Sequence, residues 1–269
     1  KKDSDGIWGD LAVVDRVDTD RELRRSISRR VFILILVTIA GAFVAIWFWV
    51  HRIDKSLANV PEVVKRASKS IVDVSCGNGA GTGVAMNIPV PGTYKSAILS
   101  AAHVFDDCAK GSTVTVTYQG QDYRGYLAGK DPSGVVKDNA EQTDLALIYV
   151  KFEMPSLNAA PEANVGDWAI VIGDPYDHIN YSTFGIITDV DNEKYGTDAA
   201  LNHGNSGGPL LDSSGRVLGI ISYGEEYSNQ HEPNPSGIWD NAPGIGYAKR
   251  LKLACLVLFS NAPSCPFSQ

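Results

Sequence analysis

Between Ile71 and Gly224 the chain is a succession of short β-rich pieces, each broken by Gly, Pro or Asp. They are IVDVSC (71–76), GTGVAMNI (81–88), SAILSAA (96–102), STVTVTYQG (112–120), QDYRGYLAG (121–129), DLALIYV (144–150), DWAIVIGD (167–174), YSTFGIITDV (181–190), GPLLD (208–212) and RVLGIISYG (216–224). Strands this short and this frequent argue against βαβ units and predict an antiparallel all-β sandwich or barrel. The glycine cluster GNGAGTG (77–83) mimics a dinucleotide fingerprint, but that fingerprint needs a helix after the glycine turn, and VAMNIPVPG follows instead. It reads as a tight strand bend where two backbones approach closely. AKRLKLACLVLF (248–259) reads as a C-terminal helix packed on the barrel.

Ahead of the strands, VFILILVTIAGAFVAIWFWV (31–50) carries no charge over twenty positions. As a helix it measures about 30 Å, the thickness of a bilayer's hydrocarbon core. The bulky WFWVHR that follows is unlike a signal-peptide cleavage site, so a retained transmembrane helix is expected, with Trp47 and Trp49 at its interfacial end. Six arginines lie in the fifteen residues before the span, against Arg52, Lys55 and Lys65 in the fifteen after it. The positive-inside rule then places the N-terminus in the cytoplasm and the strands outside it. Residues 1–30 hold eight Lys/Arg and seven Asp/Glu with few apolar side chains, and read as a cytoplasmic tail. In residues 51–70, a juxtamembrane linker turns helical, with Val60, Val63, Val64 and Ala67 on one face. Residues 71–269 form the folded domain.

All four cysteines, Cys76, Cys108, Cys255 and Cys265, follow the span, and an even count in an exported domain suggests disulfides. Of the three pairings, Cys76–Cys108 and Cys255–Cys265 are favoured, the second closing a small loop around Pro263. No pair makes a C-x-x-C, so no metal site is expected, and nothing calls for a cofactor. The formal net charge of −7 argues against nucleic acid as a partner.

The chemistry gathers at Asn202–Leu211, NHGNSGGPLL. Ser206 stands among Gly204, Gly207 and Gly208. Glycines let backbone N–H groups turn inward and approach a substrate carbonyl, but serine also needs a base. His103 in LSAAHVF follows an apolar strand beside two alanines. Asp144 in QTDLALIYV heads another apolar strand, where a carboxylate must accept hydrogen bonds. A histidine base needs such a carboxylate to fix its tautomer and stabilise the imidazolium.

The blocks AAHVF, TDLALI and DAALNHGNSGGPLLD resemble the three catalytic blocks of trypsin-like (chymotrypsin-fold) serine proteases, the last closest to the bacterial HtrA (DegP-like) branch. The resemblance spans roughly residues 60–255 and implies an all-β domain of two six-stranded antiparallel barrels that hydrolyses a polypeptide substrate. It makes His103 the general base, Asp144 its orienter and Ser206 the nucleophile, with the N–H groups of Gly204 and Ser206 as the oxyanion hole. It makes Ser222, Tyr223 and Gly224 the edge that pairs with the substrate backbone, and PGIGYA (243–248) the far wall of the specificity pocket. Ala200, six before the serine, would be the pocket base, so small or medium apolar residues are expected before the scissile bond.

The chain also departs from the family. Asn205 stands where animal digestive relatives carry Asp, which argues against zymogen-type activation. His203 replaces a proline common in HtrA proteins. The stretch after Ala248 is too short for the PDZ domain that HtrA proteins usually carry. The polar loop 225–243 is read as a lid or partner site. Two rivals remain. G-x-S-x-G also marks α/β-hydrolase esterases, but their order is Ser, Asp, His, and only His231 follows Ser206. A latent or non-catalytic peptide-binding module keeps the same residues without an assembled triad.

Overall fold

A computed structural model describes residues 28–47, 59–131, 143–174, 181–226, 241–260, 262 and 264–267. The tail up to residue 27, Trp49, the stretch 51–58 and residues 227–240 of the polar loop lie outside them. The chain divides into two compact units, residues 1–57 and 58–269.

The first unit holds helix α1 (Ser28–Trp47), long and apolar enough to cross a membrane or serve as a signal. Among the described residues its large side chains are exposed: Leu34 is 63% exposed and Phe43 68%. The hydroxyl of Thr38 is satisfied inside the helix by donating to the Ile35 carbonyl at 2.8 Å.

The second unit is built from twelve strands in two closed antiparallel barrels. The first contains β1 (Ile71–Cys76), β2 (Gly79–Met86), β3 (Ser96–Ala101), β4 (Thr113–Tyr118), β5 (Gln121–Lys130) and β6 (Leu145–Val150), in the spatial order β1-β2-β3-β6-β5-β4. The second contains β7 (Trp168–Gly173), β8 (Tyr181–Val190), β9 (Lys194–Thr197), β10 (Pro209–Leu211), β11 (Val217–Glu226) and β12 (Asn241–Arg250), in the order β7-β8-β9-β12-β11-β10. The second order is the first with every strand advanced by six. Turn chemistry sets the registers. At β4–β5 the chain reverses through Gln119 and Gly120 with φ of 52° and 75°, the paired positive values of a two-residue hairpin turn.

Strand periodicity explains why so many strands read as continuous apolar runs. Alternate side chains leave opposite faces of a strand, and in β2, β3, β6 and β7 both faces are covered. Ala85, Ile98, Ala146 and Ile148 fill the first barrel, and Ala169 and Val171 the second. Their neighbours Val84, Met86, Leu99, Leu145, Leu147, Ile170 and Ile172 join Leu211, Val217 and Ile220 in a third core between the barrels. Each such Leu or Ile side chain contributes about 1.5–3 kcal/mol of burial. Helix α2 (Val60–Ala67) lays Val63 and Ala67 into the same core, and its first turn is capped where Asn59 accepts from the Glu62 N–H.

The C-terminal helix is shorter than the sequence pattern predicts. Strand β12 continues through Arg250, and after a 3-10 turn (Leu251–Leu253) only Ala254–Val257 forms helix α3. Sheet pairing wins because Lys249 and Arg250 are in register with Ile220 and Gly219, and the Arg250 guanidinium binds Glu162 and the Asp191 carbonyl and lies 4.8 Å from the Tyr195 ring. Strands β9 and β12 give no pattern that marks them as strands in the sequence. The cysteines pair as Cys76–Cys108 and Cys255–Cys265.

Candidate active site

His103 sits on a 3-10 turn (Ala102–Phe105) that ends β3, anchored by the buried Ala102, Val104 and Phe105. The Cys76–Cys108 bond ties the following turn to the end of β1. Asp107 accepts from the Asn78 N–H at 2.8 Å, and Lys130 Nζ donates to the Phe105 carbonyl at 2.7 Å. These contacts hold the imidazole at the barrel's rim.

Asp144, 4% exposed, immediately precedes β6 with φ of 47°, a left-handed conformation that costs a non-glycine residue strain. The buried Asp131 holds it there. One of its oxygens accepts from the Thr143 N–H (2.7 Å), the Thr143 hydroxyl (2.6 Å) and the Asp144 N–H (3.0 Å). Thus presented, Asp144 Oδ1 accepts from the His103 N–H and Oδ2 from Nδ1, each at 2.9 Å, and Ser222 Oγ donates to Oδ2 at 2.5 Å. With Nδ1 protonated toward the carboxylate, Nε2 is left as the basic nitrogen. Burial acts to lower the pKa of His103. The hydrogen bond and charge of Asp144, with Asp106 behind them, outweigh it and raise the pKa above the usual 6.5.

Ser206 lies in the loop between β9 and β10. Gly204 and Gly207 adopt φ of 100° and 87°, values an L side chain resists. The loop is tied to β11 where the Gly207 N–H donates to Ile221 O (2.7 Å) and the Ile221 N–H to Gly208 O (2.8 Å). It is tied to the first barrel through Thr82. The Thr82 N–H donates to Ser206 O at 2.8 Å, and its hydroxyl donates to Gly204 O at 2.7 Å while accepting from the Asp174 N–H at 3.1 Å. Ser100 Oγ in turn donates to Thr82 O at 2.7 Å. The glycine cluster is therefore the seat of the Ser206 loop: a Cβ at Gly81 would lie 2.7 Å from the Ser206 carbonyl oxygen.

Among the described residues, the N–H groups of Gly204 and Ser206 meet no acceptor, which leaves both open to an oxyanion. The Ser206 hydroxyl makes its contact with the Ser222 carbonyl, a long 3.5 Å, and no hydrogen bond joins it to His103. Ser222 thus touches both halves of the site, its hydroxyl on Asp144 and its carbonyl on Ser206.

Along the predicted substrate edge, Gly224 pairs with Gly246, and Tyr223 packs on Tyr247 with ring centroids 4.9 Å apart. Lys194 Nζ lies 3.3 Å from the Tyr223 hydroxyl and 3.9 Å from the centre of the Tyr247 ring. Ala200 is exposed, and its carbonyl accepts from Thr183 Oγ1 at 2.9 Å. Its neighbour Leu201 is turned toward Gly246, where its side chain fills the space a Cβ would take. His203 is exposed. Among the described residues no group of His, Cys, Asp or Glu is placed to hold a metal.

Sequence reasoning missed Thr82, Asp131, the side-chain role of Ser222, and Leu201. Only the TG within GNGAGTG gave a signal for any of them, since a small polar residue between glycines suits a crowded crossing.

The profile of the trypsin-like peptidase domain matches residues 81–220, just over half of the chain. The chain belongs to this family. Its relatives include serine proteases of the HtrA/DegP type. It is 36% identical over 168 residues to the serine protease HhoA of Synechocystis, covering 56% of this chain and 36% of that protein. It is 37% identical over 136 residues to a DegP-like periplasmic serine endoprotease of Chlamydia trachomatis, covering 46% and 25%. The chain thus spans only about a quarter to a third of these relatives' length. Among solved structures, the serine endoprotease from Yersinia pestis aligns with a TM-score of 0.57 and 26% identity over 74% of this chain and 65% of that one. The HtrA-type protease AlgW, solved with a tripeptide, aligns with the same score and identity over 74% and 62%.

Proposed function

We propose that the peptidase is a membrane-anchored serine endopeptidase in which Ser206 attacks the scissile carbonyl, His103 takes and returns the proton, and Asp144 orients the imidazole. The observation that carries this reading is the convergence at Ser222: it bonds the Asp144 carboxylate that holds His103 and contacts the hydroxyl of Ser206. The free N–H groups of Gly204 and Ser206 would bind the oxyanion, and an acyl-enzyme would form and be hydrolysed without metal or cofactor. Substrate would add a strand along Ser222–Gly224. Ala200 offers no carboxylate and Leu201 occupies the space beside Gly246, so the preferred residue before the scissile bond is small or medium and apolar.

Residues 31–50 would span the cell membrane once, with the tail of residues 1–30 cytoplasmic and residues 71–269 extracytoplasmic. The exposed apolar surface of α1 and the arginine bias before it support this arrangement.

A latent resting state is the second reading, and it rests on one contact: the Ser206 hydroxyl faces the Ser222 carbonyl rather than His103. Substrate strand pairing would then turn the hydroxyl toward Nε2. Labelling of the full chain with a fluorophosphonate probe tests both readings. Labelling lost in Ser206→Ala and in His103→Ala is expected of an assembled site. Labelling only when peptide is added identifies the latent form, and a folded chain that never labels removes the enzymatic reading.

A further inference from the structure

Away from the barrel rim, a surface cleft of about 430 Å³ lies between helix α2, the segment 155–158 and the turn that joins β10 to β11. Its volume is within the range of small-molecule sites. Its lining holds two guanidiniums, Arg66 and Arg216, three hydroxyls, Ser70, Ser156 and Ser214, and no acidic residue. The Arg66 guanidinium is steadied by one bond, Nη2 to the Ser214 carbonyl at 2.5 Å, and among the described residues it meets no carboxylate. Gly215 makes that approach possible, since a Cβ there would fall 2.9 Å from the same nitrogen.

A second observation is independent of the charges. Ser70 is 1% exposed, and among the described residues its hydroxyl has no hydrogen-bond partner. A buried hydroxyl left unpaired is destabilising, so in a native protein it calls for a partner such as a ligand, an ion or a water. Asn158 adds a further donor, because its Oδ1 already accepts from Asn87 Nδ2 at 2.8 Å and its own Nδ2 is left over. The counterweight is Asp212, which neutralises Arg216 through contacts of 2.7 and 2.8 Å from just outside the lining. Arg66 therefore supplies the uncompensated charge, and the hydroxyls and amide supply neutral donors.

The geometry points to a binding site for a phosphate-class oxyanion, held by Arg66 with Ser70 and Asn158 beside it. A guanidinium presents paired N–H groups that match two oxygens of such an anion, and the cleft leaves room for a small substituent on the phosphate. A free phosphorylated solute and a phospholipid headgroup present the same chemistry. The site is independent of the proteolytic reading, since it shares no residue with it.

Calorimetric titration of the full chain in uncharged detergent with inorganic phosphate tests the site, with sodium chloride at matched ionic strength as control. Saturable binding is expected, weakened at least tenfold in Arg66→Gln and several-fold in Ser70→Ala, and raising the thermal midpoint of the wild-type chain. Because Arg66 also braces the turn at Ser214, Ser156→Asp serves as the second variant. It places a carboxylate at an exposed position of the lining, and should abolish binding without lowering the midpoint measured in chloride. Absence of saturable binding, or wild-type affinity retained in Arg66→Gln and in Ser156→Asp, overturns the proposal. The source follows from repeating the titration in nanodiscs. A lower apparent phosphate affinity in phosphatidylcholine nanodiscs than in the uncharged detergent identifies a headgroup as the ligand, and equal affinities identify a free solute.

Discussion

The hydroxyl of Thr82 donates to the carbonyl of Gly204 at 2.7 Å, joining a strand of the first barrel to the Ser206 loop of the second. The bonded carbonyl belongs to the peptide that lies between the two N–H groups read as the oxyanion hole. The shape of the proposed hole would thus be set from the opposite barrel, the one that also carries His103 and Asp144.

Thr82→Val keeps the shape and removes the hydroxyl. The turnover number should fall roughly tenfold to a hundredfold with little change in KM, since removing an oxyanion donor outright costs about 10²–10³. Thr82→Ser should restore most of the loss. Steady-state kinetics on an apolar peptide checks this, and a change confined to KM would contradict it.

The acid limb of kcat/KM should lie above the ordinary histidine value. On the proposed mechanism His103 must be neutral to accept the serine proton, and Asp144 raises its pKa, so activity should be lost as pH falls through that raised value. For stability the sign is the reverse: the protonated pair stabilises the fold at pH below the unfolded pKa, and this contribution fades as pH rises through the folded one. Asp144→Asn should therefore move the acid limb to lower pH and collapse the rate. A pH–rate profile of both proteins reads the shift.

Asp131→Ala should release Asp144 from its left-handed conformation. Three donors lose their acceptor in a buried setting, a cost of about 1–3 kcal/mol of stability, and activity should fall further than stability explains. Urea denaturation paired with probe labelling at low urea separates the two effects.

Replacing Cys76 and Cys108 together by serine should cost about 2–4 kcal/mol, because the bond closes a loop of 32 residues in the unfolded chain. It also ties the turn of His103, so the variant should label more slowly than wild type even where it is fully folded. Equal labelling rates would confine the bond's role to stability.

Leu201→Ala should widen the space beside Gly246 and shift the preference before the scissile bond toward larger side chains. A peptide library cleaved by both proteins checks this. An unchanged profile would remove Leu201 from the specificity pocket.

Much of the fold was legible because alternation and turn residues are local signals, as at Tyr118–Gln121, where a glycine pins the hairpin. The apolar face of α2 was legible for the same reason. Strands β9 and β12 were not, since Lys194–Thr197 and the glycine-rich Asn241–Arg250 borrow their conformation from partners far along the chain. The same distinction runs through the site. His103, Asp144 and Ser206 stand in motifs whose spacing carries chemistry, and the structure brings His103 and Asp144 together at 2.9 Å. Thr82 and Asp131 act on residues 122 and 13 positions away, and no local pattern reports such a partnership.

The shared core between the barrels has a consequence during synthesis. When β6 leaves the ribosome, the first barrel can close, yet Val84, Leu99, Leu145 and Leu147 still present a bare apolar wall. The residues that complete its cover, Leu211, Val217 and Ile220, emerge roughly sixty to seventy positions later, a delay of about 3–14 s at ordinary elongation rates. Through that interval the nascent chain is a half-built sandwich with an adhesive side, and whatever shields that side governs how many chains reach the native state.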